Sequence, residues 1–573
     1  MSYRGVSGAE RDFYELKTRA VEFYRVTGVP EAVEAALNEL FLHQPGDVNG
    51  YLANYFKKLS APPTISRLKG KAVYDAGGQL TAEAEIFCIV CNQEKSVSSA
   101  AVSGRVEIDS TSLDRNAESQ EGVDPVQTAV RWIDGPLNDM LKGRNPCDQS
   151  EVDQIISDFF AACYQEEKEI REKEAESRSS SETEAASPSP GAKKKSAEKS
   201  KKNSSTEKLL PPVEPTELVL PGSSAVGSVS LAVAKTGAQI RGVPLYQYIA
   251  ALKNPMPPTR FHVPVALVTL LSCGKNSPGK LNLLEEVILI PKAGQPVREI
   301  FTMTLELQKE MMRIINSSTK AGVVQVVLSD SGAPAGTYDR PEQPLDLVSE
   351  ACANSGLALG TEVHLALNCA AGQLMDYSKG KYEVTTGVWK SPDELVELYQ
   401  ALIKKFPAVV ALIDPFRRED AVQWEKLSDA TGGSCALLSD IAYNPKASPL
   451  PGVRGHIVKH AHETTVSDLI CTVSEHRGSV LMGTTCSEPC SDDSLSDIAV
   501  GLGLDYVKLG GLSGAERMTK YNRLISIEEE LAQQGILVFQ ERRPPLFTHE
   551  PQDRSSPAGS PSSHTAPGSI QTP

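Results

Sequence analysis

Three histidines crowd one lysine in the run His456-Ile-Val-Lys459-His460-Ala-His462. Imidazole nitrogens at this density are common donors to zinc and related metals, so metal chemistry is one use of the segment. A regular strand, however, sets His460 and His462 on one face and Lys459 on the other, which favours packing roles for the histidines. Cys88 and Cys91 form one C-x-x-C, but no second pair stands at zinc spacing. Their run, TAEAEIFCIVC, reads as a strand, and a structural role is preferred there too. No G-x-G-x-x-G follows any apolar run, so a dinucleotide has no cradle. Lys459 and Lys508 each stand in an apolar, β-rich run, HIVKH and DYVKL.

The chain that must position these residues has 573 residues, 40% hydrophobic, enough for a sizeable core. Its net charge of −15 disfavours a general nucleic-acid binder. Apolar runs such as Glu286–Pro291 and Ala408–Ile413 fall far short of the ~18 residues that span a membrane. The N-terminus, MSYRGVSGAERDFYEL, lacks the apolar segment of a secretory signal. The expectation is a soluble cytoplasmic protein with neither nucleic acid nor membrane as partner.

Composition divides the chain. Residues 1–60 read as a helical unit, with Val33, Leu37, Leu40 and Phe41 at helical spacing before Gln44-Pro45-Gly46. Leu52, Tyr55, Phe56 and Leu59 repeat the spacing, and Asp47 or Asn49 can cap this second helix. Residues 65–163 read as an α+β domain opening on a β-hairpin, KAVYDAGGQLTAEAEIFCIV. Residues 164–217, acidic and then basic with few apolar residues, are expected to be disordered. A helical part follows over 218–255. Across 256–540, runs such as HVPVALV, EEVILIP, EVHLAL, AVVALI, HIVKH and DYVKL alternate with helices, one of them opened by Ser391-Pro-Asp-Glu. Repeated strand–helix units imply a parallel sheet, and this many suggest a closed (β/α) barrel. Residues 541–573, rich in Pro and Ser, are expected to form a disordered tail.

Two resemblances add to this reading. The helix–PGD–helix of residues 1–60 resembles the docking-and-dimerisation motif of the protein-kinase-A regulatory subunit and Dpy-30-like family. That resemblance implies a four-helix dimer with a groove for an anchoring-protein helix. The second is more specific. GSSAVGSVSLAVAKTGAQIRGVPLYQYIAAL (Gly222 to Leu252) and KLGGLSGAERMTKYNRLISIEEEL (Lys508 to Leu531) closely resemble enolase segments. GKYEV at Gly380, DPF at Asp414 and the VYDAGGQLTAEAEI hairpin fit the same family, from about Ile65 to Gln540. The pattern is most similar to the divergent, sperm-type enolases.

The resemblance implies an α/β fold: a (β/α)8-type enolase barrel behind an α+β N-terminal domain, with an extra helical unit and a disordered insert. It also implies a lyase that interconverts 2-phosphoglycerate and phosphoenolpyruvate with Mg²⁺, as a homodimer, by the lysine-base chemistry typical of this superfamily. Lys459 matches the catalytic base, Glu286 and Asp330 the assisting acids, and Lys508 the lysine that holds the substrate carboxylate. Asp330 stands where the family has a glutamate and is one methylene shorter. Ser487 matches a phosphate-binding serine, but Cys486 replaces the neighbouring arginine. Of the metal ligands, Asn368 replaces an aspartate, Ile413 replaces a glutamate, and Ser439 or Asp440 falls at the third position. Mg²⁺ prefers anionic oxygen, so its affinity should be weak. The alternative is an enolase-fold pseudoenzyme with a structural or anchoring role, by resemblance in the sperm flagellum.

Overall fold

Proline and glycine punctuate the N-terminal unit where expected. The computed structural model describes residues 8–103, 124–184, 219–275, 277–318, 327–441, 448–476, 478–485, 488–490 and 492–539. Helix α2 (Val29–His43) ends at Gln44 in a left-handed conformation, and Asp47 caps α3 (Val48–Leu59) by accepting the Gly50 N–H at 2.9 Å. The unit holds a further helix that the two-helix reading missed, α1 (Gly8–Thr27), joined to α2 through Gly28 at φ +64°. A left-handed glycine lets two helices meet without a loop, so no polar break marked the boundary.

The hairpin reading holds. Strands β1 (Thr64–Tyr74), β2 (Leu80–Val90) and β3 (Gln93–Ala101) form an antiparallel sheet. Cys88 is buried in the strand, whereas Cys91 sits in the turn beside Asn92, both at positive φ, as a tight hairpin requires. The charged stretch expected to be disordered from residue 164 begins instead as helix, within Gln149–Glu184. Pairs one turn apart, Arg171–Glu167 at 3.0 Å and Lys173–Glu169 at 3.8 Å, support that extension. Residues 185–217 and the expected tail, 541–573, lie outside the described residues.

Helix Ser224–Arg241 is nearly all small and apolar, which lets it sit deep between this sheet and the barrel. Gly227 allows a close approach to the barrel: its N–H donates to the His462 carbonyl at 2.7 Å, and a Cβ there would lie 2.6 Å from that oxygen. The helix therefore braces the segment just after Lys459.

The barrel closes through strands β4 (Val265–Ser272), β5 (Glu286–Ile290), β8 (His364–Asn368), β12 (Val409–Ile413), β13 (Ala436–Asp440), β14 (Val453–Val458), β15 (Ser479–Gly483) and β16 (Tyr506–Gly510), with β16 pairing back to β4. Short strands β6 (Val327–Leu328) and β7 (Pro334–Ala335) form a hairpin at its rim, and β9 (Met375–Asp376), β10 (Lys381–Thr385) and β11 (Val388–Lys390) make a small outer sheet. The sheet is not wholly parallel: β5 runs antiparallel to both β4 and β8. Among the described residues no helix separates β4 from β5, and a short connection can join only antiparallel neighbours. Side chains such as Val265, Ile288, Ala366, Ala411, Leu438, Ile457 and Leu481 fill the interior, so the barrel is a packed core and chemistry is confined to its rim. The helix opened at Ser391 carries the expected capping box, with Glu394 accepting the Ser391 N–H at 2.7 Å.

Candidate active site

Strand ends set the site. Parallel strands deliver their C-terminal residues to one rim, and there Asn368, Ile413, Asp440 and Lys459 end or follow β8, β12, β13 and β14, with Lys508 at the middle of β16. Glu286 joins them because antiparallel β5 brings its first residue to the same end, paired with Asn368. Two ion pairs organise the rim. Lys508 Nζ lies 2.7 Å from Glu286 Oε2, and Lys459 Nζ lies 2.7 Å from Asp440 Oδ2. Between the two lysines stands Gly483, which pairs with Lys508 in the sheet. A Cβ at Gly483 would lie 2.8 Å from Ile457 Cγ2 and 3.5 Å from Lys459 Cε, so a glycine here keeps β15 clear of the Lys459 stem.

Glu286 is buried, and burial alone would raise its pKa. The Lys508 charge, with hydrogen bonds from Lys508, Asn368 and Thr269, outweighs that and holds it below the usual glutamate range. Asn368 Nδ2 donates at 2.9 Å and Thr269 Oγ1 at 3.1 Å. Glu286 is thus a carboxylate in this state and can accept rather than give a proton. Asp414 was not assigned a role from sequence. It takes φ +46°, outside the usual range for a non-glycine residue, and its carboxylate receives the Asp440 N–H at 3.1 Å. Burial and the Asp440 charge push its pKa up to about 7, while the Asp440 N–H, Lys459 and Ser439 pull it back. Its place in the DPF triplet was the one signal available beforehand.

The other expected residues divide. Asp330 lies in the β6–β7 hairpin, exposed, and its carboxylate makes no ion pair or hydrogen bond to a described residue. Its backbone, in contrast, is tied to the turn after β16 by Arg517. Ser487 and Cys486 lie outside the described residues. Thr485, just before them, is buried, and Glu488 accepts both its N–H at 2.9 Å and its hydroxyl at 3.0 Å. The three histidines go separate ways. His456 stacks on His476 with ring centroids 4.4 Å apart, His460 is buried, and His462 acts through its carbonyl. Among the described residues no three His, Cys, Asp or Glu side chains converge to hold a metal.

The comparisons agree with this geometry. The profile described as "Enolase, C-terminal TIM barrel domain" matches residues 260–543. A protein named Enolase 4 from Danio rerio is 48% identical over 560 residues, covering 94% of this chain and 96% of the relative. The chain belongs to the enolase family. Enolase 4 of Xenopus laevis is 44% identical over 555 residues, with coverages of 94% and 96%. Enolase 4 of Homo sapiens is 42% identical over 586 residues, with coverages of 96% and 94%. This chain is thus an enolase of the divergent kind. No helix among the described residues is long and apolar enough to cross a membrane.

Enolases use Mg²⁺, and the residues here do not fit the family's ligand set. Asn368 gives its Nδ2 to Glu286 and has only a neutral carbonyl oxygen to offer a cation, while Asp440 is paired with Lys459. Ile413 is 2% exposed and packs into the barrel interior, where it offers no donor. Two of the three ligand positions therefore carry no charge for a hard cation that prefers carboxylate oxygen.

Proposed function

We propose that this enolase interconverts 2-phosphoglycerate and phosphoenolpyruvate slowly, with Lys459 as the base. The observation that carries the reading is the pair of lysines on either side of Gly483 in β15, each held 2.7 Å from a carboxylate. In this reading Lys508 leaves Glu286 to bind the substrate carboxylate. Lys459 passes its own proton to Asp440 and then takes the proton beside that carboxylate, while Asp330 assists loss of the hydroxyl from the rim. The cost of the missing charge falls on substrate binding and on stabilising the anionic intermediate, so any Mg²⁺ contribution is weak. Purified protein with excess Mg²⁺ should form phosphoenolpyruvate, and Lys459→Ala should abolish it. Turnover no greater than that of the Ala variant sinks the enzyme reading.

A second reading, a pseudoenzyme with a structural role, draws on two features. Ile413 closes the core at a ligand position, and Glu488 already occupies the Thr485 amide at the loop where enolases hold phosphate. The N-terminal helices suit such a role. Val33, Leu37, Phe41, Phe56 and Leu59 are all exposed, leaving apolar faces for a second copy and an anchoring-protein helix, with the sperm flagellum as the suggested location. Enolase-type pairing of the bodies would add a second contact to the homodimer. Full-length Phe41→Cys should then cross-link to a second copy on oxidation, and a monomeric product would argue against the helical contact.

A further inference from the structure

Arg517 occupies a place that its own fold does not require. It lies in the first turn of helix Ala515–Gln533 and is 5% exposed, a costly position for a guanidinium unless its donors are satisfied. Its partners are the carbonyl of Asp330, the carbonyl of Ser513 at 3.0 Å and the carboxylate of Glu516. The first of these belongs to the β6–β7 hairpin, the other two to the segment that follows β16. A second bond crosses the same seam, from the Gly511 N–H to the Ser331 carbonyl at 2.7 Å.

Glycines make the approach possible. A Cβ at Gly332 would lie 2.3 Å from the Ser513 oxygen, and one at Gly511 would lie 2.3 Å from the Gly332 oxygen. At Gly510 it would lie 2.7 Å from the Ser331 oxygen, and both Gly332 and Gly510 hold positive φ. The hairpin needs such support. Among the described residues β7 joins β4 at one register position, Ser272 opposite Ala335. A two-stranded ribbon by itself is marginal in holding its own shape. Asp330 is at the hairpin turn, and Lys508 is two residues before Gly510, so the clasp links the supports of both side chains.

We propose that Arg517 is a positioning residue that clasps the Asp330 hairpin to the turn after β16, so that Asp330 and Lys508 approach substrate as one rigid unit. The inference rests on Asp330 serving the lyase reaction, and its test separates the two. Arg517→Lys keeps the charge but loses the planar fork that reaches two carbonyls at once, and Arg517→Gln loses both. Gly332→Ala opens the clasp from the opposite side should the arginine variants misfold. Hydrogen exchange in full-length protein is followed over 327–335, with His364–Asn368 as control strand, alongside kcat and KM for phosphoenolpyruvate formation. Expected are at least tenfold faster exchange in the hairpin and an unchanged control. With that, kcat falls tenfold or more while KM changes less than twofold, and the Lys variant is intermediate. Unchanged hairpin exchange overturns the clasp, as does an equal rise in the control strand. Faster hairpin exchange with unaltered kcat overturns the positioning role. A wild type without turnover refutes the lyase reading and with it Asp330's role, while the exchange measurement still decides whether Arg517 holds the hairpin.

Discussion

Asn368→Asp puts back the carboxylate that enolases carry at this strand end, and the structure sets what that should cost. Asn368 now donates to Glu286 Oε2 at 2.9 Å. The change removes a hydrogen bond to a charged group, about 1.5–3 kcal/mol. It also sets two carboxylates against each other. At an effective dielectric of about 20, oxygens held at that 2.9 Å would repel by roughly 6 kcal/mol, falling to roughly 4 kcal/mol once rotation opens the gap to about 4 Å. Lys508, 2.7 Å from Glu286, offsets part of this. A net loss of about 3–5 kcal/mol in metal-free protein follows. A divalent cation is the natural counter-charge, and at about a hundred times its dissociation constant it returns about 2.7 kcal/mol. Thermal unfolding in EDTA and in millimolar Mg²⁺, on wild type and variant, measures both effects. The variant should melt lower in EDTA and recover much of the loss with Mg²⁺, and wild type should be indifferent to the metal. Refutation would come from a wild type that Mg²⁺ already stabilises, or from a variant as stable as wild type in EDTA.

Two further outcomes follow from single distances and one buried ring. A Cβ at Gly483 would lie 2.8 Å from Ile457 Cγ2 as well as beside Lys459, so Gly483→Ala should overpack the rim by about 1–3 kcal/mol and lower kcat by displacing the base; full activity would refute the close fit of Lys459 against β15. Burial, with His476 and Arg418 nearby, lowers the His456 pKa to about 4, so the folded state resists a proton that the unfolded chain accepts near 6.5. Its contribution is complete above pH 6.5 and is lost as pH falls from there to 4, by up to about 3 kcal/mol. Urea unfolding from pH 7 to pH 4.5 should show that slope, and His456→Leu should flatten it; an equal slope in both would assign acid sensitivity elsewhere.

Reading the site from residue order succeeded where a strand end delivers the side chain. Lys459, Asn368, Asp440 and Ile413 end or follow four of the barrel strands and Lys508 lies within a fifth, so the family motifs, set on apolar runs, located each of them. Glu286 came from the same family pattern, but it opens rather than closes its strand, and only the antiparallel pairing with Asn368 turns it to the same rim. Asp414 escaped because its importance comes from burial beside Asp440 and from a backbone twist that no spacing encodes. The charged helix through Glu184 was misread since composition reports a lack of apolar burial but not the pairs one turn apart that support a solvated helix.

Residue order determined the opening hairpin, the helix caps and the barrel, and through the family resemblance it showed which ligand types had been replaced, since these depend on local periodicity and on identity at a position. Tertiary structure alone decided how the remaining charges are spent. Asp440 goes to Lys459, Asn368 to Glu286, and the three histidines to a stack, a buried site and a backbone contact. Those pairings depend on distances between strands far apart in the chain. A charge placed at the rim is a metal ligand, a proton acceptor or a salt-bridge partner only according to which neighbour the barrel brings within about 3 Å.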